Sequence, residues 1–284
     1  MIERNLKDNM KKQDAILFGR KFWVQLTIVE KILMKKTGLN KSQFFLSEQL
    51  NLSQKDLEEL EKLFKKIAFG YPIEYALENA EFYWLDFYVD KRCLIPRNDT
   101  EIMVEQAIKA LSDKCIYIDV WTWSWAIPIS VYKNSKNKIS KAYALDISED
   151  ALEVAKKNIK SHNLENKIEL LKSDLLSNIN LEKNNNYIIT ANLPYIKNED
   201  FWNMDQEVIL HEPSVALYWW EKTGFELYDK LIEQIINNKK KTILFIEIWF
   251  DQKEYAINYL NNKKLNFEIF KDNWGVDRCI KIKF

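Results

Sequence analysis

From Asp14 to about Gly70 apolar residues return at intervals of three and four, as in Phe22, Leu26, Val29, Ile32 and Leu33, and again in Leu57, Leu60, Leu63 and Ile67. That spacing lines one face of a helix, so the stretch predicts a helical region with no strand pattern. Ser53 stands three residues before Asp56 in the manner of a capping box, which predicts a helix start at about 53. Around Tyr71 to Leu94 the period changes to alternation, in Phe82-Tyr83-Trp84-Leu85-Asp86-Phe87-Tyr88-Val89, and predicts a hairpin leading out of the helical part. A domain boundary near 75 follows, giving a helical N-terminal domain over 1–75, a hairpin linker over 76–94 and a larger domain over 95–284.

In the larger domain strand-like runs alternate with helical ones. Cys115–Val120 precedes a helix from about Ala126, Ala142–Ile147 precedes a helix over Ser148–Ser161, and Ile168–Leu171 and Tyr187–Ala191 each run into a loop. Then come a helix over Gly224–Ile236, a strand at Thr242–Ile248, a helix over Gln252–Asn261 and two closing strands, Phe267–Phe270 and Arg278–Phe284. Alternation of this kind predicts an α/β fold, an open sheet with helices on both faces. The last two strands, joined without a helix, predict an antiparallel edge.

Composition narrows the function. Lys+Arg and Asp+Glu are equal at 42 each, so no overall field draws the chain to phosphate backbones or anionic membranes. The start, Met1 to Gln13, is polar, and no apolar run approaches the ~18 residues of a membrane span, which predicts a cytoplasmic protein. Three scattered cysteines, Cys93, Cys115 and Cys279, and two histidines, His162 and His211, give neither a disulfide framework nor a metal spacing. No metal site is expected.

Ligands of open α/β sheets sit at the carboxyl ends of the strands. The first strand exits into Trp121-Thr122-Trp123-Ser124-Trp125, and the second ends in Asp146, 21 residues after Trp125. That separation suits an acidic residue reaching the ribose hydroxyls of a nucleoside cofactor. With glycine at 121, 123 and 125 the segment would be the nucleoside-binding turn of methyltransferases that use S-adenosylmethionine. The fourth strand exits into Asn192-Leu193-Pro194-Tyr195, which suits methyl transfer to a planar nitrogen. The Asn192 side-chain oxygen and a backbone carbonyl of the tetrapeptide can accept the two N–H bonds, and the Tyr195 ring can pack on the substrate plane. A strand simply ended by proline is the plainer reading of the same residues.

The chain resembles the peptide-release-factor glutamine N5-methyltransferases, also called the HemK or PrmC family. The resemblance runs through Gly70–Tyr75, Phe82–Phe87, Leu94–Glu101, the exits at 119–127 and 192–196, Glu212–Leu217, and Asp272 to Arg278. It implies a class I (Rossmann-like) S-adenosylmethionine-dependent methyltransferase with a small all-α N-terminal domain and a β-hairpin linker. The implied substrate is the glutamine of the Gly-Gly-Gln motif in class I peptide chain release factors, with no membrane and no direct nucleic acid required. The turn at 121–125, Asp146, Asp174 and Asn192 would bind the cofactor, while Asn192, Leu193, Pro194 and Tyr195 would bind the substrate amide and carry catalysis. Asp86, Arg97, Thr100, Glu101 and Glu212 also match family segments, as functional or structural residues.

Two departures stand out. The family usually has Asn-Pro-Pro-Tyr where this chain has Leu193, and Asn-Leu-Pro-Tyr also resembles ribosomal-RNA adenine N6-dimethyltransferases. Those place their helical domain after the catalytic one, so the order of elements here favours the glutamine enzyme.

The larger departure is compositional. At the usual ~7% glycine a chain of this length carries about 20, yet this one has 5, against 10 tryptophans. Seven of these, Trp84, Trp121, Trp123, Trp125, Trp219, Trp220 and Trp249, fall where the resembling family has glycine, while Trp23, Trp202 and Trp274 have no such assignment. Three readings compete. The segment 121–125 is an aromatic strand with one buried face; the indoles form a stacking platform for single-stranded nucleic acid, in a catalytically inactive pseudo-methyltransferase or binding module; or UGA codons meaning glycine in the source are rendered as tryptophan.

Overall fold

The computed structural model describes residues 9–121, 123–182, 185–194, 210–213 and 223–284. The chain divides into two compact units, Met1–Asn79 and Ala80–Phe284.

The first unit is helical. Helices α1 (Lys12–Arg20), α2 (Leu26–Thr37), α3 (Lys41–Leu46), α4 (Gln54–Ala68) and α5 (Ile73–Leu77) enclose a core in which Val29, Leu33, Leu60 and Phe64 are buried. Val29, Leu33 and Leu60 are positions that the three-and-four spacing puts on one face, whereas Leu26 of that series is exposed and Phe64 joins the core from the next turn. Ser53 caps α4 as its sequence predicts, its hydroxyl accepting the Asp56 N–H while the Asp56 carboxylate accepts the Ser53 N–H at 2.8 Å. The expectation of a strand-free region needs correction, because β1 (Asn9–Lys11) pairs antiparallel with β2 (Gln49–Asn51). Strands of three residues are too short for alternation to register against the helical background.

The second unit opens with the hairpin β3 (Ala80–Phe82) and β4 (Leu85–Phe87), closed by the two-residue loop Tyr83-Trp84. Helix α6 (Glu101–Ala110), which the sequence reading did not separate from the motif preceding it, buries Met103, Val104 and Ala107. The central sheet contains β5 (Cys115–Val120), β6 (Ile139–Asp146), β7 (Ile168–Lys172), β8 (Tyr187–Ala191), β9 (Thr242–Glu247), β10 (Asn266–Lys271) and β11 (Asp277–Lys283). Its order is β10-β11-β9-β8-β5-β6-β7. The pairs β5–β6, β6–β7, β5–β8 and β8–β9 are parallel, and β11 runs antiparallel to both β9 and β10, which is the antiparallel edge expected.

Helices α7 (Ala126–Lys133), α8 (Glu149–Ser161), α9 (Glu226–Asn238) and α10 (Lys253–Asn262) make the crossovers. Buried residues form one cluster containing Leu231 and Ile246 and a second containing Val104, Ile129 and Phe245. The strand order reverses between β5 and β8, and a doubly wound sheet opens its ligand crevice at such a switch point. Among the described residues no helix is long and apolar enough to cross a membrane, and no cluster of His, Cys, Asp and Glu is placed to hold a metal ion.

Candidate active site

Strand β5 delivers the chain into the turn at 121–125, and α7 carries it away. Backbone φ is +64° at Trp121, +50° at Trp123 and +69° at Trp125, so the segment is a left-handed turn and not the aromatic strand offered as one reading. A side chain at such φ values brings Cβ against the backbone, at a cost of roughly 1–2 kcal/mol per residue that glycine escapes. All three indoles are buried, which also removes the exposed platform that nucleic-acid stacking requires.

Asp146, at the carboxyl end of β6, is buried against this turn. Its Oδ2 accepts the Trp123 N–H at 3.2 Å and its Oδ1 accepts the Ser148 N–H at 2.8 Å. The carboxylate therefore fixes the turn to the start of α8. Asn158 on α8 completes the clamp and was not anticipated. Its side chain accepts the Tyr88 N–H at 2.7 Å and donates to the carbonyls of Tyr88 and Ser124 at 2.9 Å. In the sequence Asn158 stands among lysines, in Lys156-Lys157-Asn158-Ile159-Lys160, and nothing there marks it as buried.

At the exit of β8, Asn192, Leu193 and Pro194 are buried. The Leu193 N–H donates to the Tyr228 hydroxyl at 3.1 Å, and that hydroxyl donates to the Glu247 carbonyl. This chain of bonds ties Leu193 to α9 and β9 through its backbone, while its side chain packs into the core with Leu231 and Ile246. Within the sheet, the Tyr117 and Thr190 hydroxyls lie 2.6 Å apart, and Thr190 donates to the Asp119 carboxylate. Burial, followed by the neighbouring Asp119, pushes the Tyr117 hydroxyl well above its ordinary pKa, so it stays protonated. This network locks β5 to β8 directly beneath the two exits.

The structure brings Trp123, Ser124 and Asn192 to one cavity, together with Arg97 and Thr100. Arg97 is ion-paired with the buried Glu212 carboxylate, which also accepts the Ile95 N–H at 3.3 Å. Glu101 accepts the Tyr83 N–H at 2.8 Å and so braces the hairpin loop, while the Asp86 carbonyl bonds the His162 ring at 2.9 Å. Asp174 instead forms a half-exposed ion pair with Lys230 on α9 at 2.6 Å. Thr122 and Tyr195 lie outside the described residues, as do Trp202, Trp219 and Trp220.

The side chains present do not fit a nucleoside cofactor. The Trp123 indole crosses from the turn to the β8 exit and donates from Nε1 to the Asn192 carbonyl at 3.0 Å, with the Trp121 ring 5.9 Å behind it. The cavity left beside them holds about 20 Å³, room for roughly one water, where small-molecule sites measure about 300–1,000 Å³.

Comparison with known proteins places this architecture. Residues 104–194 match the family model described as a methyltransferase domain. The release factor glutamine methyltransferase of Enterococcus faecalis is 33% identical over 87% of this chain and 88% of its own length. That of Clostridium botulinum is 35% identical over 80% of this chain and 81% of its own, and that of Dictyoglomus turgidum 32% over 86% of each. Among solved structures, the hMettl16 catalytic domain in complex with a MAT2A 3′UTR hairpin aligns with a TM-score of 0.53 at 14% identity, over 78% of this chain and 82% of that one, a likeness of fold alone.

Proposed function

The chain belongs to the release factor glutamine methyltransferases, and from that membership we propose that it methylates the side-chain nitrogen of the glutamine in the Gly-Gly-Gln motif of class I peptide chain release factors. S-adenosylmethionine is the methyl donor. The observation that carries this reading is the Asn192-Leu193-Pro194 segment, held by its own backbone at the β8 exit beside the turn after β5.

An amide nitrogen has its lone pair delocalised into the carbonyl, so the site's first task is orientation. Asn192 Oδ1 accepts one substrate N–H, and a backbone carbonyl at Leu193 or Pro194 accepts the other. Tyr195 packs on the amide plane. With glycine at 121, 123 and 125, the segment 121–125 would form the cofactor wall, Asp146 would hold the ribose hydroxyls and Asp174 would lie near the adenine, supplying a bound methyl donor to the amide. The helical unit grips the release factor, and the reaction takes place in the cytoplasm. The adenine N6 alternative loses ground because the helical unit precedes the sheet in this chain, as it does not in the ribosomal-RNA enzymes.

In protein carrying glycine at 121, 123 and 125, Asn192→Ala is expected to lower kcat by about a hundredfold, the scale of a lost orienting contact, with S-adenosylmethionine affinity held within a few-fold. Unchanged kcat, or an equal loss of cofactor affinity, overturns the role given to Asn192.

A further inference from the structure

A turn that crowds its own cofactor site raises the question of why tryptophan stands there at all. Left-handed φ is found in only a few per cent of non-glycine residues, and for a bulky residue it is an outlier. In this chain 14 described non-glycine residues have positive φ, and five of them are tryptophan: Trp23, Trp84, Trp121, Trp123 and Trp125. Five of the seven described tryptophans thus share the left-handed backbone of four of the five glycines, Gly38, Gly70, Gly224 and Gly275. The match extends to the dihedral angles, since Trp125, which opens α7, and Gly38, which closes α2, both have φ 69° and ψ 15°.

The five positions have no function in common. Trp23 lies in the α1–α2 connection of the helical unit, 96% exposed, just past a helix end of the kind glycine usually terminates. Trp84 is the second residue of the β3–β4 loop, where Tyr83 has φ 48° and Trp84 φ 58°. Positive φ at both central residues defines a type I′ turn, whose preferred pair is Asn-Gly or Asp-Gly. Trp121, Trp123 and Trp125 are buried in the turn after β5. A binding surface accounts for none of these sites jointly, and neither does a packing requirement, because two of the five indoles stand in solvent. Backbone geometry suited to glycine is what they share, and one codon read as two different amino acids would put tryptophan at such positions irrespective of their surroundings.

We propose that positions 23, 84, 121, 123 and 125 are glycine in the protein its own cell makes, inserted at UGA codons by a glycine-charged transfer RNA whose anticodon pairs with UGA. The tryptophans then belong to a decoding that assigns UGA to tryptophan. Trp249, whose neighbourhood in the family pattern has glycine, and Trp274 are absent from the left-handed set and are not included.

The inference rests on the backbone and stands apart from the proposed activity, so its test reads mass and codon. Peptide mass spectrometry of the protein isolated from its source cells is expected to find glycine at all five positions, and the gene to carry UGA at each. Tryptophan at any of the five, or a UGG codon, overturns it. Recombinant chain with glycine at 121, 123 and 125 is expected to bind S-adenosylmethionine by calorimetry at least tenfold more tightly than the chain with tryptophan there. Equal affinity overturns the assignment for those three positions. Glycine-bearing protein that binds the cofactor yet methylates no release factor would leave this inference intact and defeat the proposed function.

Discussion

The indole Nε1 of Trp123 donates to the main-chain carbonyl of Asn192 at 3.0 Å, joining the exits of β5 and β8 across the space where a doubly wound sheet receives its ligand. Trp123 is held at its backbone as well, through its N–H on the Asp146 carboxylate. Two anchors on one residue make the closure a property of position 123, so the fold does not need to change for the site to open. What has to change is the side chain.

Trp84 isolates the backbone cost from any question of ligand. Its indole is 78% exposed, with the Tyr83 ring at 4.8 Å as a neighbour. Trp84→Gly and Trp84→Ala both lose that ring contact, but only glycine relieves the left-handed strain. Urea unfolding is expected to place the glycine variant about 1–2 kcal/mol above the alanine variant. Equal stabilities would show that the loop bears no such strain.

Asn158 is the residue on which the turn depends most from outside it. Removing its side chain leaves the Tyr88 N–H and the carbonyls of Tyr88 and Ser124 without these partners in a buried setting. Asn158→Ala is expected to cost about 2–4 kcal/mol, at 1–3 kcal/mol for each unsatisfied buried group after partial relaxation. A loss below about 0.5 kcal/mol by denaturant titration would contradict the clamp.

The helical unit carries a pH dependence that can be read at one helix end. The Asp56 carboxyl is held down at about 2, first by the Lys36 ammonium and then by the hydroxyl and N–H of Ser53. The folded state therefore binds this proton less readily than the unfolded chain, and the contribution is complete above pH ~4 and lost as pH falls through about 2. Protection of the first α4 amides against hydrogen exchange is expected to fall over that window. Asp56→Asn should flatten the fall, and an unchanged profile in the variant would reject the capping contribution.

Much of this architecture was legible in the chain because strands buried on both faces leave compact apolar runs between turn residues. Cys115–Val120 and Tyr187–Ala191 are observed with the limits their sequences predict, and Asp146 stands at the end of β6 as its spacing requires. Helix α6 has no side-chain cap to mark its start, and its first residue is the last of the motif at 94–101, so only the apolar face of Met103, Val104 and Ala107 distinguishes it in the sequence. Asn158 was invisible for a different reason. Its partners lie 34 and 70 residues away, so its role exists only once α8 has packed on the turn. Trp23 shows the limit most clearly, since no motif surrounds it and only its φ of 64° groups it with the tryptophans of the cofactor turn.

Transfer of a labelled methyl group tests the proposed activity most directly. Protein with glycine at positions 23, 84, 121, 123 and 125 is incubated with methyl-labelled S-adenosylmethionine and, separately, with a class I release factor or with ribosomal RNA, and the labelled products are mapped by mass spectrometry. One methyl on the side-chain nitrogen of the Gly-Gly-Gln glutamine is expected, and none on the RNA. Label on an RNA adenine, or a release factor that stays unmodified while the cofactor is demonstrably bound, would contradict that activity.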